Sequence, residues 1–296
     1  MEIDGQRRSD NFEDRGRGSG GGGGGLPSGA LFAVLSRLGI RGVLLVGLVL
    51  LGVYFFIPGA RAPLMGMLGL GGGSVASSGH TCDSAAQACD FSRAILASTE
   101  DVWTQQFQEG RLPNYGTQPG AYQDPKLVVF SNAVDTGCGA ATSDVGPFYC
   151  PNDGQLYIDP AFYQTMQDRL HAPGDFAQAY VIAHEVGHHV QKLIGATQQR
   201  ISGENENQTS VRTELQADCF AGVWGHTAQA SLQIDDADLR EALNAAHNIG
   251  DDSLGAQESQ YTHGTSAQRM AWFRRGFDSG DARQCDTWAV PSYGQL

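Results

Sequence analysis

Residues 176–194 read FAQAYVIAHEVGHHVQKLI, an apolar run with the spacing of an α-helix. Within it, His184-Glu185-Val186-Gly187-His188 is an H-E-x-x-H motif that places two histidines four residues apart. Residues four apart share one face of a helix, so both imidazoles can reach the same metal ion. Glu185 follows the first histidine, where its carboxylate can polarise a water molecule without binding the metal. The stretch therefore predicts a helix with two metal ligands and a general base.

A hydrolytic zinc site also needs a third protein ligand and one open position. Glu214 is the favoured ligand, since it shares a face of a predicted helix at 211–229 with Asp218, four residues later. Asp218 can then accept the second N–H of a ligand histidine and fix its tautomer. The alternative is that both acids only solvate the helix face. The other candidates downstream are Glu204, Glu206, His226 and His263; the first two fall in a polar loop predicted at 196–210.

The remaining histidines carry weaker signals. His189 points about 100° away from His188 around the helix, which favours a partly buried side chain over a ligand. His226 lies three turns beyond Glu214, and His171 and His247 have no motif around them. None of these four is expected to bind the metal.

His263-Gly-Thr-Ser-Ala-Gln-Arg269 precedes and enters another predicted helix, capped by Thr265 or Ser266. Water-mediated hydrolysis of an amide builds negative charge on the carbonyl oxygen, and a nearby histidine can stabilise it. His263 is a candidate for that role. Arg269 could pair with Asp218 or Glu214, or face the substrate. The alternative is helix capping and a surface arginine.

The 296-residue chain is long enough for one sizeable domain with additional segments. Its formal charge of −13 is uneven: residues 1–62 hold seven arginines and five acids, a net of +2, and the rest has a net of −15. Nucleic-acid binding needs basic patches that such an acidic body lacks. Nucleic acid is therefore excluded as a partner.

Residues 38–57 form an apolar run of about twenty residues, interrupted only by Arg41. This length suits a single-pass transmembrane helix of the inner membrane. Six arginines precede its uncharged part, so the positive-inside rule predicts a cytoplasmic N-terminus and a periplasmic domain. A cleaved signal peptide is the alternative, because Ala60-Arg61-Ala62 resembles a cleavage site, although Pro63 would follow the cut. A buried core helix fits less well, since the run is apolar on all faces.

Six cysteines follow the apolar run, and their even number fits disulfide bonds in an oxidising compartment. Six cysteines allow fifteen connectivities. Proximity favours Cys82–Cys89 and Cys138–Cys150, which leaves Cys219 with Cys285. Free buried thiols are the alternative, and a cysteine-zinc site is disfavoured because the chain has no C-x-x-C spacing.

The order of elements indicates an α+β fold. Residues 1–37 are polar and Gly-rich and are expected to be disordered, 58–80 form a flexible tether, and 81–296 form the domain. A helix at 91–107 and a strand at 126–130 precede a hairpin whose turn is Pro151-Asn-Asp-Gly154. Besides the helices at 176–194 and 211–229, two more are predicted at 237–249 and 265–277. A small antiparallel sheet followed by helices results.

Beyond these patterns, the chain is similar over nearly its full length to the bacterial family of putative neutral zinc metallopeptidases. The resemblance rests on residues 5–15 (GQRRSDNFEDR), 99–103 (TEDVW), 146–151 (GPFYCP), 173–189 (PGDFAQAYVIAHEVGHH), 214–219 (ELQADC) and 262–266 (THGTS). It implies a zincin-like domain with peptidase activity. The His263…Arg269 spacing also resembles the H-P-x-x-x-x-R element of membrane-linked zinc proteases, with Gly264 in place of the proline.

We therefore expect a membrane-anchored zinc metallopeptidase of zincin-like α+β fold that acts on protein or peptide substrates in the cell envelope, with the substrate extended beside an edge strand. One alternative is a zincin-shaped binding module without turnover, although the intact Glu185 argues against it. Another is hydrolysis of a non-protein amide, such as a cell-wall cross-link. The expected roles are one Zn²⁺ on His184, His188 and Glu214, a base at Glu185, an oxyanion group at His263, and supporting contacts from Asp218 and Arg269.

Overall fold

The computed structural model describes residues 1–18, 79–116 and 119–296. Within these ranges, no helix has both the length and the apolar character that a membrane crossing requires. The anchor predicted at 38–57 lies outside the described residues, as does nearly all of the tether predicted at 58–80.

The described residues form a mixed four-stranded sheet and a separate hairpin. The strands are β1 Phe12–Arg17, β2 Lys126–Ser131, β3 Ala133–Thr136, β4 Gly139–Thr142, β5 Phe148–Cys150 and β6 Gln155–Ile158. The sheet has the order β1-β2-β6-β5, and β3 pairs with β4. β2 runs parallel to both β1 and β6, and β5 is antiparallel to β6. The prediction of an antiparallel sheet is thus wrong, because long connections lead from β1 to β2 and from β2 to β6, and such crossovers return the chain in parallel.

Two of the predicted strand features are confirmed. β2 covers the predicted strand, and its residues from Leu127 to Phe130 are all buried. A continuous apolar run of this kind is typical of a strand that is covered on both faces. The predicted turn at residues 151–154 joins β5 to β6, and Gly154 adopts a positive φ of 72° there.

Residues 1–18, the N-terminal arm, differ from the expectation of a disordered segment. Besides forming β1, the arm is held to the domain by charged groups: Arg7 pairs with Glu100 at 2.7 Å, and Arg8 pairs with Asp90 at 2.6 Å. The carboxylate of Asp14 accepts the backbone N–H groups of residues 81 and 82. Some of the arginines that were read as a topology signal therefore form ion pairs with acids of the domain.

The pairing of β1 with β2 bears on the predicted membrane topology, which stays a prediction. A single crossing between residues 38 and 57 would place β1 and β2 on opposite sides of a membrane. Strands that exchange backbone hydrogen bonds must lie on the same side of a bilayer. Residues 1–18 belong to the same compact unit as the residues that follow the tether.

The α+β class is confirmed by six α-helices in the described residues. They are α1 Ala86–Gln108, α2 Ala161–Asp168, α3 Asp175–Ile194, α4 Glu206–Ala228, α5 Asp236–Asn248 and α6 Ser266–Ser279. The N-cap of α3 is Gly174, and the helix ends at Gly195, which adopts the left-handed conformation. α4 begins inside the predicted loop, because Asn205 and Gln208 form a capping box there. α2 was not predicted.

Helix α3 is buried along most of its length and packs against α1, α4, α5 and β5. Gly187, between the two motif histidines, lets α4 approach closely. A Cβ atom at this position would lie 3.1 Å from the backbone of Ala217 on α4 and 3.3 Å from its side chain. The glycine of the motif thereby brings the α4 carboxylates within reach of the α3 histidines.

All three predicted disulfides are confirmed. Cys82–Cys89 closes the start of α1, Cys138–Cys150 joins the β3–β4 hairpin to β5, and Cys219–Cys285 joins α4 to the C-terminal segment. No cysteine is free. Two of these bonds therefore fix elements around the candidate site: one holds β5, which packs against α3, and one holds the C-terminal segment against α4.

Candidate metal centre

His184, His188 and Glu214 converge on one point between α3 and α4. One ligand atom from each lies within 4.8 Å of the other two. The Nε2 atom of His184 is 3.1 Å from one Glu214 oxygen, and Nε2 of His188 is 3.5 Å from the other. Two imidazole nitrogens and one carboxylate oxygen are the donors that a catalytic zinc site uses while leaving a position open.

Both histidines are oriented by an acceptor on the opposite ring nitrogen. Nδ1 of His184 lies 2.8 Å from Asp218, and Nδ1 of His188 lies 2.9 Å from the side-chain oxygen of Gln191. The Gln191 amide donates to the carbonyl of Thr213, which fixes its orientation. Each imidazole therefore presents Nε2 to the metal position, and the donor set fits zinc.

Asp218 is fully buried and lies at the centre of a polar network behind the ligands. It accepts hydrogen bonds from His184, from Tyr180 at 2.5 Å, and from Arg269 at 2.8 and 2.9 Å. Burial alone raises the pKa of Asp218, but Arg269 and His184 outweigh it and lower that pKa to about 2. Of the alternatives left open for Arg269, the structure selects the pair with Asp218.

The two carboxylates also set the charge of the ligands before a metal binds. Burial lowers the pKa of His184, yet Asp218 and Glu214 outweigh it and raise that pKa to about 10. Burial raises the pKa of Glu214, but His188 and His184 hold it well below its ordinary value. A metal ion held here would compete with a proton for His184, and the lowered pKa of Glu214 favours its ionised form.

Glu185 is a partly buried carboxylate beside the ligands. Burial raises its pKa above the ordinary value, against the opposing effects of His188 and His184. The backbone N–H of Tyr149 on β5 faces the carboxylate and lowers the pKa slightly in return. A carboxylate with a raised pKa is better suited to take up a proton near neutral pH.

His263 lies in the loop before α6 and lines the same cleft as the metal ligands. Its Nδ1 is 3.2 Å from the carboxylate of Asp251, which also accepts the backbone N–H groups of residues 262, 263 and 264. Gly264 has a φ of 95°, which a proline cannot adopt. The glycine that departs from the H-P-x-x-x-x-R element is thus required by this backbone.

The other candidates from the sequence lie elsewhere. Glu204 pairs with Arg212, and His226 contacts the carbonyl of Phe277. His189 is buried between the Tyr149 hydroxyl and the carbonyl of Gln123, and burial lowers its pKa. Of the candidates from the sequence, His184, His188 and Glu214 are the ones that come together as a group that could hold a metal ion.

Three residues that support the site were not anticipated. Tyr180 stands one turn before His184 on the same face of α3, so the helical period held the signal. Asp251 follows the end of α5, in a loop whose backbone path the sequence did not predict. Gln191 stands three residues after His188, a spacing that is common on any helix and therefore carries little information.

The comparisons with known proteins give the family of the chain. The family model described as "putative neutral zinc metallopeptidase" matches residues 1–288, and the chain belongs to that family. It is 47% identical to the uncharacterized protein YpfJ of Escherichia coli K12 over 97% of this chain and 99% of the relative. An uncharacterized protein of Mycobacterium tuberculosis H37Rv, Rv2575, is 42% identical over 60% of this chain and 66% of its own length. No solved structure matches the chain.

Proposed function

We propose that the chain is a zinc metallopeptidase that hydrolyses peptide bonds with Glu185 as the general base. The observation that carries the proposal is the position of Glu185, partly buried beside two imidazoles and one carboxylate, at the wall of a cleft of about 680 Å³. A purely structural zinc site is closed by four protein ligands, whereas a set of three leaves room for water and substrate.

Zinc held by His184, His188 and Glu214 would supply a Lewis acid and make a water molecule more acidic. Glu185 takes the proton from the attacking water and delivers it to the leaving amine. The raised pKa of Glu185 matches both steps, because the group must first accept this proton and later release it. The β5 strand lies at the edge of the sheet beside the cleft, where an extended substrate can pair with its backbone.

His263 completes the proposed chemistry from the other wall of the cleft. Asp251 accepts a hydrogen bond from Nδ1 and leaves Nε2 to face the substrate. In its protonated form, this nitrogen donates a hydrogen bond to the carbonyl oxygen as negative charge develops there. Asp251 also accepts the backbone N–H groups of residues 262–264, so it fixes the position of His263 as well as its tautomer.

Two other functions use the same architecture. A binding module would keep the zinc and the cleft without turnover, and an amidase would act on a non-protein amide. A binding module leaves Glu185 without a role, and a non-protein amide leaves the edge strand beside the cleft without one. A comparison of wild type with a variant of Glu185 on a protein substrate distinguishes both alternatives from the peptidase.

The test uses the full chain, because a fragment that starts at residue 81 lacks β1. Wild type and Glu185→Gln are loaded with zinc, the metal content is measured, and both are incubated with an unfolded protein substrate. We expect one zinc per chain in both and cleavage by wild type that falls by at least about a hundredfold in the variant. Stoichiometric zinc with no proteolysis in either protein would contradict the peptidase.

We further propose that the domain acts in the oxidising cell envelope and that residues 38–57 attach it to the inner membrane. The three disulfides and the apolar run support this. Because β1 pairs with β2, the arm is proposed to share the compartment of the domain.

A membrane-impermeant maleimide can test this placement on spheroplasts that produce Asp10→Cys or Asp278→Cys, two exposed positions in the arm and on α6. Equal labelling of both is expected. Labelling of the α6 position alone would show that the arm and the domain lie in different compartments, which contradicts the proposal.

A further inference from the structure

The described residues expose two large aliphatic side chains to a high degree, and both line the cleft of the metal centre. Val145 is 63% exposed and Leu254 is 59% exposed. They come from unrelated parts of the chain: Val145 ends a short 3-10 turn before β5, and Leu254 lies in the loop between α5 and α6. An exposed aliphatic side chain is ordinary on any protein, but their shared position on one functional cleft needs an explanation.

Neither side chain is exposed because its loop lacks support. The turn that carries Val145 is anchored at Ser143, whose backbone N–H donates to Asn132 and whose hydroxyl contacts the buried Asp159. The loop that carries Leu254 is closed by backbone hydrogen bonds from Leu254 to Gly250 and from Ala256 to Asp251. The fold therefore holds both side chains in place while leaving them in contact with water.

The surface continues inward from these two residues as an apolar lining. Between them and the metal ligands, the cleft is lined by Phe148, Phe162, Met166, Leu170, Val181 and Ile249. Phe148 belongs to the edge strand β5, and Phe162 and Met166 belong to α2. A ligand in the cleft therefore meets these apolar groups together with polar ones, which include Ser143, Asp144, Thr165 and Arg169 besides the groups of the catalytic centre.

Building on the proposed function, we propose that Val145 and Leu254 are specificity-determining residues that select polypeptides with large apolar side chains near the cleaved bond. Folded proteins keep such side chains in their cores, so the substrate class is unfolded or locally unfolded polypeptide. Binding removes the apolar rim and the apolar substrate side chains from water together, which supplies affinity. A carbohydrate-linked or strongly polar amide of the cell wall gains nothing from such a surface.

One of the two rim residues, Leu254, is also connected to the catalytic wall. Asp251, whose backbone carbonyl closes the loop of Leu254, is the residue whose carboxylate holds His263. A substrate side chain packed against Leu254 thus lies against a loop that shares its anchor with the oxyanion group. The contact of Leu254 with the substrate and the position of His263 at the cleaved bond therefore both depend on the loop that Asp251 anchors.

Direct binding measurements test the proposal separately from catalysis. The full chain carries Glu185→Gln to prevent turnover and is loaded with zinc. Fluorescence anisotropy then gives Kd for two labelled peptides of equal length and charge, one with Leu and Phe around its central bond and one with Ser and Gln. We expect the apolar peptide to bind at least about tenfold more tightly.

Val145→Thr and Leu254→Asn nearly preserve side-chain volume and add a polar group, so each should weaken binding of the apolar peptide about three- to tenfold and leave the polar peptide unchanged. Val145→Ile and Leu254→Met are the matched controls, which keep the apolar surface and should retain affinity. Zinc content and the circular dichroism spectrum confirm that the variants are folded.

The outcomes separate this inference from the peptidase itself. Rim-dependent binding without cleavage by wild type would sustain the specificity surface and contradict the proteolytic function. Cleavage by wild type with equal binding of both peptides, or with no effect of either polar substitution, would overturn the specificity surface alone. Binding of neither peptide overturns it as well.

Discussion

Two histidine–aspartate pairs flank the cleft, and they are built differently. The His184–Asp218 pair is buried, and the carboxylate is balanced by the buried Arg269 cation. The His263–Asp251 pair lies at the cleft wall, with a half-exposed imidazole and a carboxylate that is balanced by three backbone N–H groups. The comparison indicates that the first pair couples metal binding to the stability of the fold, while the second can respond to the substrate without disturbing the core.

The largest expected effect comes from Arg269→Met. Removal of the cation leaves the Asp218 charge buried and uncompensated, which should lower the free energy of unfolding by about 3–5 kcal/mol. Urea denaturation of the metal-free protein measures it. Arg274→Met, at an exposed position on the same helix, is the control and should cost no more than about 0.5 kcal/mol. Equal losses of unfolding free energy in both variants would show that the buried Arg269–Asp218 pair stabilises the fold no more than a surface arginine does.

Acid titration gives a further readout of the same variant. Because Asp218 has a lowered pKa of about 2 in the folded protein, its contribution to stability is present above its ordinary pKa and is lost as the pH falls through about 2. Without Arg269, the effect of burial is less strongly opposed, so the pKa of Asp218 in the folded protein is higher than in wild type. Between the ordinary pKa of an aspartate and pH 2, Arg269→Met should therefore lose less stability than wild type, because the gap between the folded and unfolded pKa values of Asp218 is smaller.

His263→Ala breaks the other pair and should act on catalysis alone. Loss of the hydrogen bond to the developing oxyanion is expected to lower kcat/KM about 10²–10³-fold. Zinc content and the urea midpoint should stay at the wild-type values, because the side chain is half-exposed and binds no metal. His247→Ala, at an exposed position at the end of α5, is the control and should retain activity. Loss of zinc from the His263 variant would remove the distinction between the two pairs.

Asp218→Asn and Asp251→Asn compare the two carboxylates directly. Asp218→Asn weakens the orientation of a ligand histidine and should lower zinc affinity about 10–100-fold, measured by competition with a chelator. Asp251→Asn should leave zinc affinity unchanged and lower kcat. If both substitutions reduce zinc affinity by the same factor, Asp251 also supports the metal and our division of roles is wrong.

Tyr180→Phe is the smallest expected effect. It removes one buried hydroxyl from Asp218, keeps the ring, and should cost about 1 kcal/mol of stability and a few-fold in zinc affinity. Tyr163→Phe is the matched control, since its buried hydroxyl contacts Ser92 on α1, away from the metal. A similar stability loss with unchanged zinc affinity is expected there. An equal change in zinc affinity would indicate a nonspecific effect.

The helical parts of the site were predictable because their signal is local. The period of 3.6 residues alone places His184 with His188 and Glu214 with Asp218, and it also places Tyr180 on the ligand face. The contact between the two helices was inferred from zinc's need for a third ligand. The role of Gly187 became clear only from the packing of α3 on α4.

The parts that were missed depend on contacts between distant segments. Asp251 reaches His263 through a loop whose path is set by its own hydrogen bonds, and no periodic pattern marks it. The arm was misread because composition favours disorder in a polar, Gly-rich segment, while residues 7–15 gain their order from acids of α1 and from β2. Strand directions failed for the same reason, since the partners in β1 and β2 are more than a hundred residues apart and those in β2 and β6 are 29 apart, and such pairings leave no mark on local sequence.

The place of β1 has a consequence for the order of events in synthesis. Ribosomes produce β1 more than a hundred residues before β2, at roughly 5–20 residues per second. For several seconds β1 therefore has no partner strand. Once β2 has been made, it exposes unpaired backbone groups at its edge until β1 pairs with it. Closure of the sheet is thus a long-range step that follows helix formation, and a chaperone or a translocation machine that holds the first eighteen residues would decide when the domain becomes complete.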